Sequence, residues 1–238
     1  MSNSNKNTRL IFITGDKGGV GKTTTARVVS DYIESNENNT YFFDTDKTNA
    51  TFKRFIGDRC NLLDVDKEGA MDELINMVVE YKKGSQIVID CAARSLDPIL
   101  DWMDQIGFES IIKEASLDVA FVFVLGSDKD SLQILSDLFD DINAFSINAK
   151  YFIVKNLGRS TDYTQYDNSQ LRQKILSTGS VELELPPLLE RTFLAIDRNN
   201  VRFSELDTLS SDKLTITDKQ RAKSFLRKSF ETLSGTNL

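Results

Sequence analysis

Five short apolar runs, at residues 10–13, 41–43, 87–89, 119–125 and 151–154, punctuate a chain of otherwise mixed polarity. They are continuous rather than alternating and shorter than a globular helix, so each predicts a strand buried on both faces. Between them the period changes. Met71, Leu74, Ile75, Val78 and Val79 recur at helical spacing, as do Leu132, Leu135, Leu138, Phe139 and Ile142. Strand alternating with helix predicts parallel strands joined by crossovers, and hence an open, doubly wound, mostly parallel α/β sheet flanked by helices. Ligands of such sheets bind beyond the carboxyl ends of the strands, so the residues that follow each apolar run are the ones expected to carry chemistry.

Two further segments stand out. Residues 156–169 are polar, with Gly158 among several Ser, Thr, Asn and Asp residues, and predict a loop. From Thr217 the spacing turns helical again, with Ala222, Phe225, Leu226, Phe230 and Leu233 on one face and Lys219, Arg221, Lys223, Arg227 and Lys228 on the other. This predicts a closing helix docked by its apolar stripe, its basic face either solvated or turned to DNA or an acidic partner. No repeat or low-complexity tract interrupts the pattern, and 238 residues suffice for one well-buried core. A single domain spanning 1–238 is expected, with the polar stretch 1–8 disordered.

Composition narrows the chemistry. A formal net charge of −7 and a pI near 4.8 oppose non-specific nucleic-acid binding by the surface as a whole. The chain contains no histidine, which excludes imidazole bases and histidine-held metals and leaves proton handling to carboxylates, lysines or water. Cys60 and Cys91 have neither disulfide-framework nor metal-ligand spacing and read as small buried residues. The polar N-terminus lacks a signal-peptide core and no apolar run approaches the ~20 residues that span a bilayer, so a cytosolic chain without a membrane anchor is expected.

The most specific feature lies after the first predicted strand. Residues 16–24 read Asp-Lys-Gly-Gly-Val-Gly-Lys-Thr-Thr and lead into a helix-like stretch from Lys22. Glycines let successive backbone N–H groups cradle phosphate oxygens, and the helix start adds a partial positive charge. Gly18, Gly19, Val20, Gly21, Lys22, Thr23 and Thr24 would then hold a nucleoside triphosphate, with Lys22 on the outer phosphates and Thr23 a magnesium ligand. The strict pattern would place glycine at position 16, where this chain has Asp, and leaves Gly15 unused. The variant Lys-Gly-Gly-x-Gly-Lys-Thr-Thr fits better, and it contains a second lysine, Lys17.

Carboxylates follow the next strands. Asp44 and Asp46, at i and i+2 after the second apolar run, face the same way if the strand extends that far. One would then serve the metal's hydration shell and the other the attacking water, whereas a plain turn is the alternative for such residues. Asp90 closes the third run, the position from which P-loop proteins hold magnesium. Ser127 or Asp128 after the fourth run reads as a helix cap. Asn156, ending the fifth, offers a donor and an acceptor to a purine edge or serves a turn.

Together these residues resemble the ParA/MinD family of P-loop ATPases, most specifically at 17–24 and 44–51. The stretch Asp-Thr-Asp-Lys-Thr-Asn-Ala-Thr-Phe from Asp44 is similar to the TraL-like branch of conjugative plasmids, as are Pro186-Pro187, Glu190-Arg191-Thr192 and Phe203-Ser204-Glu205. The resemblance implies ATP and magnesium as cofactors, and a dimer closed face to face by ATP in which Lys17 of one copy reaches the phosphates of the other. It implies Lys22 and Thr23 on phosphate and metal, Asp46 orienting the hydrolytic water, Asp44 and Asp90 near the metal, and adenine contacts at Asn156 and around Pro187. Two departures are visible. The polar end, Ser234-Gly235-Thr236-Asn237-Leu238, does not match the basic or amphipathic C-terminal elements by which family members ride on DNA or membrane, although Arg191, Arg198, Arg202, Arg221 and Arg227 leave a DNA contact open. The segment Cys91-Ala92-Ala93 also lacks the proline many ParA proteins carry.

The function so implied is a slow ATPase acting as a dimerisation switch in plasmid or cargo partition, positioning or conjugative transfer, stimulated by an activating partner. The alternative is a carboxylate-activating ligase of the dethiobiotin-synthetase or cobyrinate-amidase type, which shares the architecture but generally lacks the signature lysine.

Overall fold

A computed structural model of the chain describes residues 6–15, 18–36 and 39–238. Of the stretch 1–8, residues 1–5 lie outside this description, and Thr8 is already the first residue of a strand. The elements run β1 (Thr8–Thr14), α1 (Lys22–Asn36), β2 (Thr40–Asp44), α2 (Thr51–Ile56), β3 (Cys60–Leu62), α3 (Ala70–Glu80), β4 (Gln86–Asp90), α4 (Leu96–Gln105) and α5 (Phe108–Ala115). They continue with β5 (Leu117–Leu125), α6 (Lys129–Ala144), β6 (Ala149–Asn156), α7 (Thr164–Asp167), α8 (Gln170–Leu176), β7 (Val181–Leu185), α9 (Glu190–Arg198) and α10 (Ile216–Leu233), with 3₁₀ turns at Gly57–Arg59 and Phe203–Thr208.

The seven strands form one sheet in the order β3-β2-β4-β1-β5-β6-β7, and every neighbouring pair is parallel. Both faces are covered, as the continuous apolar runs require. Alternation along β1 shows the division: Leu10 and Phe12 enter the core layer shared with α3, α4 and α6, while Ile11 and Ile13 enter the layer under α1, α2, α9 and α10. The chain leaves β1 toward β2 on one side and reaches β5 on the other, so the direction of winding reverses at β1. The carboxyl ends of β1, β2 and β4 therefore border the switch-point crevice where such sheets bind ligands.

The five predicted strands are present, and β3 and β7 are additional. β7 reads Val-Glu-Leu-Glu-Leu, with Leu183 and Leu185 buried and Glu184 exposed. That alternation is the signature of an edge strand, not of a run buried on both faces. Asp128 rather than Ser127 caps α6, accepting the Ser131 N–H at 3.0 Å. The predicted loop 156–169 opens with the last residue of β6 and contains α7. Buried Tyr163 and Tyr166 pin it, the Tyr163 hydroxyl donating to the Asn156 carbonyl at 3.1 Å.

α10 docks through Ala222, Phe225 and Leu233, and three of the five cations on its opposite face are ion-paired: Arg221 with Asp218, Lys223 with Asp207 and Arg227 with Glu231. Arg202, one of the arginines that left a DNA contact open, is buried and paired with Asp31, so it is withdrawn from the surface. Both cysteines are free and buried. Among the described residues no helix is long and apolar enough to cross a membrane.

Candidate functional site

The loop between β1 and α1 bends around its glycines. Gly21 has φ +105°, and a Cβ there would sit 2.1 Å from Asn156 Nδ2, so only glycine fits both the backbone and the neighbour. Gly15, unused by the motif, is required by packing: a Cβ would lie 2.5 Å from the Val124 carbonyl oxygen of β5. α1 then starts at Lys22, whose side chain is buried. Lys17 lies outside the described residues; the flanking Gly18 and Gly19 are exposed, with open space where side chains would stand.

A cavity of about 540 Å³ opens over this loop, lined by Gly18, Gly19, Gly21, Lys22, Thr23 and Thr24 together with Asp44, Asp46 and Asp90. The structure thus brings together nine of the predicted residues from three strand ends. Val20 does not line it, because its side chain packs on the core layer beneath α1. A neighbouring cavity of about 290 Å³ is lined by Thr24, Asn156, Gly158, Arg159, Pro186, Leu188, Glu190, Phe193 and Phe225. Pro186, not Pro187, faces this space, while Pro187 backs onto Gly158 and lines a separate groove with α10.

The three carboxylates differ in what holds them. Asp44 ends β2, and both its oxygens are taken by backbone: Oδ1 accepts the Asp46 N–H at 2.9 Å and Oδ2 the Lys53 N–H at 3.0 Å. It thereby caps α2 from a distance, where Ala50 at φ 43° supplies no side-chain cap. Burial pushes its carboxyl above the usual range against the pull of those N–H groups. Asp46 is past the end of β2, so strand alternation does not align the pair as expected. Its Oδ1 accepts the Thr48 and Asn49 N–H groups in a turn, while its Oδ2 meets only Asn49 Nδ2 at 3.4 Å.

Asp90 is the least satisfied. Its Oδ2 accepts the Thr23 hydroxyl at 2.7 Å, but its buried Oδ1 has no hydrogen-bond partner. Such an orphan is costly unless something else occupies it. Among the described residues no group of three or more acidic or cysteine side chains forms a cage. That agrees with a magnesium ion, which keeps its waters and takes one or two protein ligands plus phosphates. Thr23 and Asp90 fit it; Asp44, held by two N–H groups, is placed to support the loop.

Burial pushes Asp90 up to about 7, with the Thr23 hydrogen bond opposing and the Asp44 charge reinforcing the rise. With its folded pKa above the unfolded value of 3.8, the stability present below that value is lost as pH rises toward 7. Asp90→Asn is expected to remove this loss. Without nucleotide and magnesium, the melting temperatures of parent and variant should coincide near about pH 4, with the variant increasingly the more stable up to about pH 7. A constant offset across that range would refute the assignment.

Several residues at the site were not among those given a role from the sequence. The Thr45 hydroxyl accepts the Ala92 N–H at 2.7 Å, and the Thr45 N–H donates to the Asp90 carbonyl at 3.0 Å, tying the segment after β2 to that after β4. Arg94 in the latter segment has φ 74°, so non-glycine left-handed residues sit in both segments bordering the cavity. Arg27, buried in α1, lies 3.4 Å from the Phe55 ring centre and 4.3 Å from that of Phe203, and pairs with Asp197 at 3.8 Å. Burial lowers its guanidinium to about 9, leaving it charged at neutral pH. The one hint was an arginine amid the apolar Ala26, Val28 and Val29.

Asn156 braces the loop. Its Nδ2 donates to the Val20 carbonyl at 3.2 Å and its Oδ1 accepts the Gly158 N–H at 3.1 Å. Its amide is thus largely engaged by protein, although it lines the smaller cavity.

A glycine-bent loop leading into a helix at the switch point of a parallel sheet, with a threonine–aspartate pair beside it, defines the class: an α/β protein of P-loop fold. Several solved structures share this fold. A nucleotide-binding protein from Archaeoglobus fulgidus in complex with ADP superposes with TM-score 0.53 at 13% identity, over 81% of this chain and 86% of that one. The septum site-determining protein MinD of Pyrococcus horikoshii with Mg-ADP gives 0.50 at 15%, over 96% and 98%. A Borrelia burgdorferi protein assigned to plasmid partition, bound to AMPPNP, gives 0.52 at 16%, over 94% and 99%. In sequence, protein TraL of Escherichia coli is 23% identical over 233 residues, covering 91% of this chain and 93% of its own length. Protein MobD of Acidithiobacillus ferrooxidans is 24% identical over 186 residues, covering 76% and 79%. No protein-family model matches the chain.

Proposed function

We propose that this chain is a magnesium-dependent ATPase working as a dimerisation switch: ATP closes two copies face to face, hydrolysis releases them, and a partner protein stimulates the step. The observation that carries this reading is the buried, unpartnered Asp90 Oδ1 beside the Thr23 hydroxyl at the mouth of the P-loop cavity. The ADP, Mg-ADP and AMPPNP held by the three similarly folded proteins support adenine nucleotide and magnesium as the ligands. Magnesium when bound would neutralise developing phosphate charge.

The chain's own residues do the rest. Backbone N–H groups of Gly18 to Gly21 and the start of α1 receive phosphates, and Lys22 adds a fixed charge. Asp46 has the more accessible carboxylate oxygen and orients the attacking water, while Asp44 fixes the segment that carries it. Lys17 completes the site of the opposite copy. The Thr45 tie and the strained Ala50 and Arg94 give the two bordering segments a means of responding together to the occupied site. The task is partition or positioning of a plasmid or other cargo, or assistance to conjugative transfer. With a net charge of −7 and three of the five α10 cations ion-paired, contact with DNA is weak or local.

Asp46→Ala tests the switch. The molar mass by light scattering should double with magnesium and ATP but not with ADP, because the closed dimer forms and does not turn over. A monomer with both nucleotides would sink the switch and return the ligase alternative.

A further inference from the structure

Three residues line both cavities, Thr24, Arg159 and Phe193, and Arg159 is the cation among them. Its place is set by the turn after β6. The Arg159 N–H donates to the Asn156 carbonyl at 2.9 Å, and the Asn156 amide is bonded to Val20 of the P-loop. The stem of the arginine lies against the loop itself, its Cγ 3.9 Å from where a Cβ of Gly21 would stand. Its root is therefore rigid, locked to the phosphate-binding bend through Asn156.

Its head is uncommitted. The guanidinium makes no hydrogen bond or ion pair among the described residues and lies 5.8 Å from the centre of the Phe193 ring. The other two arginines lining the larger cavity differ: Arg27 and Arg54 both pair with Asp197. A cation without a protein anion, rooted on the P-loop where two cavities meet, is placed to receive an anion entering from either. A guanidinium presents its donors in a planar fork that matches two phosphate oxygens, which a lysine cannot do.

We infer that Arg159 is a nucleotide-anchoring residue that grips the inner phosphates of an adenine nucleotide lying across both cavities, with the base between Asn156 and Pro186. This inference rests on the nucleotide reading proposed above. It deepens that reading by assigning affinity common to ATP and ADP to one side chain outside the P-loop motif, distinct from groups that sense the terminal phosphate.

Calorimetric titration of the full chain with Mg-ATP and Mg-ADP, at low and high salt, tests it on Arg159→Ala, Arg159→Gln and Arg159→Lys. The Ala and Gln variants should bind both nucleotides about tenfold or more weakly, the loss of one charge-assisted contact, with Lys intermediate. Their affinities should also depend less steeply on salt than the parent's, and the kinetic loss should fall on KM more than on kcat. The melting temperature without nucleotide should change by no more than about 2 °C, since the head loses no hydrogen bond or ion pair and only its contact with the Phe193 ring. Equal binding by parent and variants overturns the inference and leaves the nucleotide reading standing. Loss confined to ATP, or loss with an unaltered salt slope, overturns it in favour of a terminal-phosphate contact or of stacking on the base. A parent that binds neither nucleotide brings down the proposed function itself.

Discussion

A Lys17→Ala protein is expected to lose ATP hydrolysis by about 10³-fold or more while still binding ATP, because a positioned cation on transferring phosphoryl groups is worth that much in P-loop enzymes. The lysine precedes Gly18 and Gly19, which are exposed and carry open space around them, so this side of the loop is accessible to a second copy. The buried Lys22, by contrast, belongs to the copy's own cavity. If Lys17 acts across the interface, mixing two dead proteins should restore turnover. Asp46→Ala retains Lys17, and Lys17→Ala retains Asp46, so one site of each mixed dimer holds both groups. Phosphate release from the mixture, with little from either variant alone, is the expected result. Unchanged turnover in Lys17→Ala would remove the lysine from the chemistry, and a silent mixture would place its action within one copy.

Arg202→Ala should be the most destabilising substitution outside the site. The guanidinium is buried, its Nε donates to Asp31 Oδ1 at 2.8 Å, and its Nη2 lies 2.6 Å from the same oxygen. Glu34 shares the cation, and Asp31 also receives the Ser204 N–H and hydroxyl, at 3.1 and 2.8 Å. This cluster fastens the 3₁₀ turn at Phe203–Thr208 to α1. Truncating the arginine strands a buried carboxylate, a loss of about 3–5 kcal/mol. For a chain of this size that corresponds to a fall of roughly 10 °C in melting temperature. Adding Asp31→Ala should cost much less than the sum of the two single changes, because the stranded charge is removed. Strict additivity in thermal unfolding would show the pair to be independent, and a fall of only a degree or two would show it to be peripheral.

The residues read from sequence fall into two groups at the site. Gly18 to Thr24 were legible because a phosphate loop is local: strand, glycines, lysine, threonine and helix start are consecutive, and backbone geometry follows from residue type. Asp90 was legible because it ends an apolar run that a parallel sheet aims at the same crevice. The i, i+2 pairing of Asp44 and Asp46 failed because it assumed a longer strand, whereas β2 stops at Asp44 and its carboxylate turns back to hold α2. Asn156 was read from its amide at a strand end and the neighbourhood of Pro187 from the resemblance, and neighbours fixed their surroundings: Pro186 faces the cavity, and Asn156 spends its amide bracing the P-loop.

By itself, then, the sequence determined the alternation of buried strands and amphipathic helices, the parallel doubly wound sheet, and the glycine-bent loop between β1 and α1, since these rest on periodicity and on short-range backbone chemistry. The tertiary structure alone decided which distant groups meet. It gave β1 its central place, set Thr23 against Asp90 across 67 residues, and left one Asp90 oxygen unpartnered. It also brought Asn156 to Val20 across 136 residues and Arg202 to Asp31 across 171. Contacts over such separations arise from strand order and packing, and no local pattern of residues encodes them.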